Sequence, residues 1–215
     1  MADTRHPIPE VRTKWLLADL PILFDQGLVL PGDALFCQGS WWIAGGIAAA
    51  QRGRWGDVLG ARRTHVATVG RSRTVIESVW PAVREIGLEE WCAEWAGLPV
   101  ELGRLPDLSA GMRQVISANG ERIARARTPY AVGAIAVLGR AYAWYRPARW
   151  RTELILRLNP DPPGESYTCS GLVTEQHRDT AAWARFPEAW RNRPRLVSPC
   201  EQYESRLWRI EATLL

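Results

Sequence analysis

A cysteine at the start of a helix, a histidine in one strand and a glutamate in the next can together carry out acyl chemistry. This chain of 215 residues holds such a set. The segment Tyr167-Thr168-Cys169-Ser170-Gly171-Leu172-Val173 places Cys169 where a helix is expected to begin. Backbone N–H groups and the positive end of the helix dipole favour thiolate over thiol there, which makes Cys169 a candidate nucleophile near neutral pH. Far upstream, Thr64-His65-Val66-Ala67-Thr68-Val69 puts a histidine in a β-like run, and Val75-Ile76-Glu77-Ser78 puts a carboxylate in the next. Nucleophile, base and orienting acid are then all present.

Chain arithmetic selects the histidine. Of the 3 in the chain, His177 lies on the same expected helix as Cys169, and eight residues of helix put it about 12 Å away, beyond hydrogen-bond reach. His6 lies at the chain start, outside the expected core. His65 remains, and its strand is joined to the next by Gly70-Arg71-Ser72-Arg73, a connection short enough for a hairpin. His65, Ala67 and Val69 share one face of the first strand, and Val75, Glu77 and Val79 share one face of the second. Register permitting, the imidazole and the carboxylate meet across the ladder. Each residue also has a plainer use: Cys169 as a buried structural thiol, His65 as a hydrogen-bonded strand residue, Glu77 as a solvated carboxylate.

The elements that must position these residues read as follows. Val11 to Leu20 is expected as a short helix ended by Pro21. Ala34-Leu35-Phe36-Cys37 is expected as a buried strand after the turn Pro31-Gly32-Asp33. Ile43 to Arg52 reads as a helix, His65–Val69 and Thr74–Val79 as the hairpin, and Val83 to Ala96 as a mixed stretch with Trp91 and Trp95 at helical spacing. Ser109 to Arg127 is a helix interrupted by Pro129, and Ala131 to Leu138 is a second one ending at Gly139. Trp150 to Leu158 reads as a strand, Asn159 to Glu165 as a loop, Cys169 to about Ala184 as a helix, and Leu207 to Leu214 as a last strand.

Composition limits the function. At 47% hydrophobic and 23% charged residues the chain reads as one globular domain. No apolar run approaches the 20 or so residues of a membrane span. The charge of +4 comes from arginines interleaved with acidic residues, without zinc-ligand, RNP or helix-turn-helix patterns, so nucleic acid is not an expected partner. The four cysteines, Cys37, Cys92, Cys169 and Cys200, have neither disulfide-framework nor metal spacing, so reduced thiols and no metal or organic cofactor are expected. The start, Met1 to Lys14, has no apolar signal region, which makes the cytoplasm the default location. Cys37-Gln38-Gly39-Ser40-Trp41-Trp42 is a rival nucleophile neighbourhood, but Cys37 ends a strand where thiol chemistry needs a helix start. Asp33 reads as a turn or capping residue. The 12 tryptophans could stack on sugars or sit at a lipid interface, but a core is their more common use, and Trp41-Trp42 is the pair to test for substrate contact.

Around Cys169 the sequence resembles the nucleophile motif of the NlpC-type papain-like cysteine peptidases, Asp-Cys-Ser-Gly-Leu-Val, with Thr168 in place of the aspartate. Pro31-Gly32-Asp33-Ala34-Leu35-Phe36, Thr64-His65-Val66-Ala67 and Val75-Ile76-Glu77-Ser78 are similar to that family's first strand, histidine strand and following strand. The cysteine helix comes last here, the order of the circularly permuted, YiiX-like branch and its lecithin retinol acyltransferase relatives. The matched pieces cover 31–78 and 129–175, and Ser198-Pro199 is similar to a late segment of the family. The resemblance implies one permuted papain-like α+β domain over 1–215, with a core of about 31–210, an N-terminal extension over 1–20 and an antiparallel sheet packed against helices. It implies a Cys169-His65-Glu77 triad working through a thioester acyl-enzyme. Tyr142, like the tyrosine preceding the family's nucleophile segment, would line the site with Tyr167 and Ser170 as substrate-binding residues. An amide or peptide bond, of cell-wall type among others, is the expected substrate. A lipid acyltransferase or lipase with the same triad, or a binding module without turnover, remain the alternatives.

Overall fold

A computed structural model describes residues 13–39, 42–55, 59–133, 166–192, 194, 197–205 and 207–215. Strands β1 (Thr13–Trp15), β2 (Ala34–Cys37), β3 (His65–Val69), β4 (Thr74–Ser78), β5 (Val83–Gly87), β6 (Val100–Arg104) and β7 (Arg209–Leu214) form one sheet in the order β1-β7-β6-β2-β3-β4-β5. Neighbours are antiparallel except β1 and β7, which run parallel. With α1 (Leu20–Asp25), α2 (Trp42–Trp55), α3 (Leu88–Glu94), α4 (Ala110–Arg125), α5 (Cys169–Gln176), α6 (Glu188–Asn192) and α7 (Pro199–Glu204), the class is mixed α+β.

Both faces of the sheet are covered, which is why its central strands read as continuous apolar runs. On one face Leu35, Cys37, Ala67, Val69 and Val75 pack with Leu20 and Leu23 of α1 and Leu88 and Trp91 of α3. On the other, Ala34, Phe36 and Val66 meet Cys169 and Val173 of α5, backed by Phe186, Tyr203 and Trp208. Ile76 joins Ile123 of α4 and Leu172 of α5 beside them. Gly120 lets α4 come this close: a Cβ there would sit 2.9 Å from Ile76 Cδ1 and 2.3 Å from Gln176 Nε2. The helix bearing the cysteine and α3 are thus on opposite faces of the same strands.

Several expectations are corrected. Pro21 stands in the first turn of α1, where its missing N–H costs nothing, so it begins a helix rather than ending one. The expected helix over Val11 to Leu20 is instead β1 and a 3-10 turn at Leu17–Asp19. The stretch 1–20 is more than an extension from Thr13 onward, because β1 pairs with β7 and Leu17 and Leu20 are buried in the core. Strand β6 is not evident from the sequence, because Glu101 and Gly103 break its apolar pattern. Arg63 satisfies the buried Glu101 at 2.7 Å, and Gly103 leaves room for Phe36, whose Cε2 would lie 2.6 Å from an added Cβ. Helix α5 stops at Gln176 instead of Ala184, with the Thr180 hydroxyl donating to the His177 carbonyl at 2.8 Å. The expected Ala131 to Leu138 helix lies largely, and the Trp150 to Leu158 strand wholly, outside the described residues.

Asp33 is a buried ionic hub as well as a turn residue. Its carboxylate accepts the Leu30 N–H at 3.0 Å, Arg104 Nη2 at 2.5 Å and Arg113 Nη1 at 2.9 Å. Among the described residues no helix is long and apolar enough to cross a membrane.

Candidate active site

Cys169 is the first residue of α5, after an extended Thr168 at φ −77° and ψ 166°. The Thr168 hydroxyl oxygen accepts the Gly171 N–H at 3.0 Å, so threonine caps the helix where the resembled motif has aspartate. The sulfur is held by backbone donors from two elements, the N–H of Ser170 in its own helix and that of Val66 in β3. Val66 is free to donate because the β3–β4 ladder is short. Thr68 pairs with Ile76 and Val69 with Val75, and the ladder stops before Val66 and Ser78, whose amide and carbonyl would form its next bonded pair. Ser78 turns elsewhere, donating its hydroxyl to the Tyr167 carbonyl at 2.6 Å. The N-terminus of α5 fills the opening between the two strands.

His65 is the first residue of β3, on the face that carries α3. Continuing the β3–β4 register sets Ala67 against Glu77, with His65 one diagonal step away on the same face. His65 Nε2 meets Glu77 Oε2 at 2.8 Å. The other ring nitrogen is then left for Cys169, to which the imidazole is hydrogen-bonded around the end of the strand. Glu77 is fully buried. Arg84 donates to its Oε1 through Nε at 2.8 Å and Nη2 at 2.6 Å, and Trp91 Nε1 donates to its Oε2 at 3.1 Å.

These contacts fix the charges. Burial works against an ionised Glu77, but His65 and Arg84 outweigh it and hold the carboxyl at about 2. Burial likewise opposes a charged His65, yet hydrogen bonds to Cys169 and Glu77 lift the imidazole to about 10. Cys169 moves the opposite way: burial pushes the thiol up, and His65 with the two backbone N–H groups brings it below an ordinary thiol. A lowered thiol beside a raised imidazole favours the thiolate–imidazolium form of the pair, a form that can attack an acyl carbon and then protonate a leaving group.

The remaining expected residues are placed differently. Ser170 is buried and donates its hydroxyl to the Val197 carbonyl at 2.5 Å, and the Tyr167 ring packs with Ile76, Val83, Ile123 and Leu172. Both side chains are engaged inside the protein. Tyr142 and the Trp41-Trp42 pair lie outside the residues whose side chains are described. Cys37 faces His65 across the β2–β3 ladder, where burial and the nearby Glu77 push its thiol well up, so it is a poor nucleophile. Sequence reasoning missed Arg84, which is silent without the fold, and Tyr130. Tyr130 bridges to Tyr167, two residues before the cysteine, and its phenol is raised by burial and by the charge of Cys169. The Thr128-Pro129-Tyr130 run was the signal available for it.

His177 is buried, with Nδ1 2.7 Å from the Val173 carbonyl, far from the role of a partner to Cys169. Burial, with Arg113 adding to it against the Val173 carbonyl, pulls its imidazole down to about 4. A depressed histidine contributes stability in full above pH 6.5 and loses it as pH falls toward 4. Urea unfolding should therefore show about 3 kcal/mol of destabilisation across that window, and much less in His177→Gln. Equal slopes in the two proteins would disprove the assignment.

No protein-family model and no curated protein matches this sequence. Among solved structures, the chain is similar to one described as the metalloprotein yiiX from Escherichia coli O157:H7, DUF1105. The likeness has a TM-score of 0.54 at 15% identity and covers 87% of this chain and 97% of that one. Among the described residues here, no three His, Cys, Asp or Glu side chains are grouped to hold a metal ion, and the Glu77 oxygens are already taken by His65, Arg84 and Trp91. The architecture that presents Cys169, His65 and Glu77 is a YiiX-like fold.

Proposed function

We propose that this chain is a thiol hydrolase of permuted papain-like, NlpC-type architecture that cleaves an amide or peptide bond. The observation that carries the reading is the unbroken chain of hydrogen bonds from Cys169 through His65 to Glu77, with the sulfur at a helix start between two backbone donors. The Cys169 thiolate adds to the carbonyl carbon, and the electron pair of the C=O bond moves to oxygen. The Cys169 N–H supports that oxyanion, with the Tyr130 hydroxyl, close enough to feel the charge of Cys169, as a second donor. Collapse breaks the C–N bond as imidazolium His65 gives its proton to the departing amine, leaving a thioester on Cys169. Neutral His65 then takes a proton from water, whose oxygen attacks the thioester, and the carboxylic acid and the thiolate–imidazolium pair are released and restored. Glu77 keeps the ring oriented throughout.

The Cys-Ser-Gly-Leu-Val run favours peptides of the cell-wall stem type over lipid acyl groups. Intact-protein mass spectrometry after brief exposure to a panel of amide and stem-peptide substrates and a lipid mixture tests this. The expected result is an acyl adduct on Cys169, discharged by hydroxylamine and absent in Cys169→Ala, formed from amides. Adducts from lipids alone would move the substrate class to lipid acyl transfer, and no adduct from any of them would favour a binding module.

A further inference from the structure

We propose that Trp95 is a positioning residue for His65, and that α3 is the brace holding the orienting half of the site; this rests on the thiol-hydrolase reading above. The Trp95 ring stacks on the imidazole with centroids 5.2 Å apart and planes within 13°. Trp95 caps the C-terminus of α3, and its amide still bonds to the Trp91 carbonyl at 3.1 Å. The same short helix grips Glu77 in two other ways. Trp91 Nε1 donates to it directly at 3.1 Å, and Glu94 takes Arg84 Nη1 at 3.2 Å while Arg84 forks onto Glu77. Positions 91, 94 and 95 share one face of a helical turn, so a single element sets the carboxylate, its arginine and the ring plane of the base. The indole exchanges no proton. It acts by shielding one face of the imidazole and by favouring its positive form through the electron-rich ring face.

The charged and titratable groups around His65 are Cys169 from α5, Glu77 from β4, Cys37 from β2 and Tyr130 beside the sulfur. Arg84 from β5 and Glu94 from α3 act through Glu77. None of these changes when Trp95 is replaced. Removing the ring face therefore isolates its own contribution.

The test is the titration of the His65 ring, followed by NMR of its carbon-bound protons from pH 4 to 11 in wild type, Trp95→Leu and Trp95→Phe, with iodoacetamide alkylation of Cys169 and tryptophan emission followed in parallel. Leucine keeps apolar bulk and loses the ring; phenylalanine keeps a ring. Trp95→Leu should lower the alkaline midpoint at which His65 loses its proton by roughly half a pH unit, which leaves about a quarter instead of half of the molecules protonated at the wild-type midpoint, and Trp95→Phe should stay close to wild type; the acid-side midpoint of alkylation, with imidazolium on both sides of the step, should not move. Imidazolium quenches a stacked indole, so wild-type emission should rise as His65 loses its proton near pH 10, a step missing from Trp95→Phe and His65→Gln. A fast, His65-dependent wild type with an unmoved alkaline midpoint of His65 in Trp95→Leu overturns the role of Trp95 alone. A wild type whose Cys169 reacts as an ordinary thiol overturns the hydrolase reading and this role with it. An absent emission step in wild type overturns the stack, whether or not Trp95→Leu folds.

Discussion

Replacing His65 by alanine should slow alkylation of Cys169 at pH 6 at least about a hundredfold. In the wild type imidazolium His65, Val66 N–H and Ser170 N–H outweigh burial and lower the thiol, which favours thiolate at that pH. Without the imidazolium the largest opposing influence, burial, acts almost alone, and the thiol returns to a pKa of about 8.5 or higher, where about one molecule in 300 is ionised at pH 6. His65→Gln, which keeps a polar side chain at the strand start, should behave the same way because it also lacks the charge. Activity on the proposed amides should follow, with an alkaline limb near pH 10 where His65 gives up its proton. Because thiol and imidazole titrate as a pair, both limbs belong to the pair. Rates in His65→Ala within a factor of a few of wild type would end the ion-pair account.

Asp33→Asn should destabilise the fold by about 3 to 5 kcal/mol, seen as a urea midpoint lower by about 1 M or more. The side chain is fully buried, and Arg113 and Arg104 bring two guanidinium groups to it from α4 and β6. An amide leaves both cations short of a counter-charge and points N–H groups at other donors. The carboxylate also fixes the turn through Leu30 N–H, and Arg113 donates to the Pro31 carbonyl at 3.0 Å. Loss of Asp33 thus loosens the start of β2, the strand that pairs with the histidine strand. A change under 1 kcal/mol would mean the two arginines find water instead.

The site was legible in the sequence where chemistry and local geometry coincide. The short Gly70-Arg71-Ser72-Arg73 connection implies the β3–β4 hairpin, and strand alternation puts His65 and Glu77 on one face, as the structure has them. A polar residue before Cys169 marks the helix start, and Thr168 caps it. Less was legible where a residue's environment comes from distant chain. Glu101 makes β6 look like a loop until Arg63 arrives 38 residues earlier in sequence to neutralise it. Pro21 signals a helix boundary without saying which end. Arg84, Tyr130 and Trp95 look like ordinary members of their segments, and only the closing of the sheet, with α3 on one face and α5 on the other, brings them to the sulfur and the imidazole.

The sheet order also sets a timetable. His65 and Glu77 leave the ribosome about a hundred residues before Cys169, roughly 5 to 20 s earlier at ordinary synthesis rates. Strand β7, later still, is an interior strand lying between β1 and β6. A nascent chain therefore carries the proposed base and orienting acid long before the proposed nucleophile, and the last strand must insert before the sheet is whole. A product of premature termination ahead of Cys169 would lack the proposed nucleophile as well as the strand that completes the sheet.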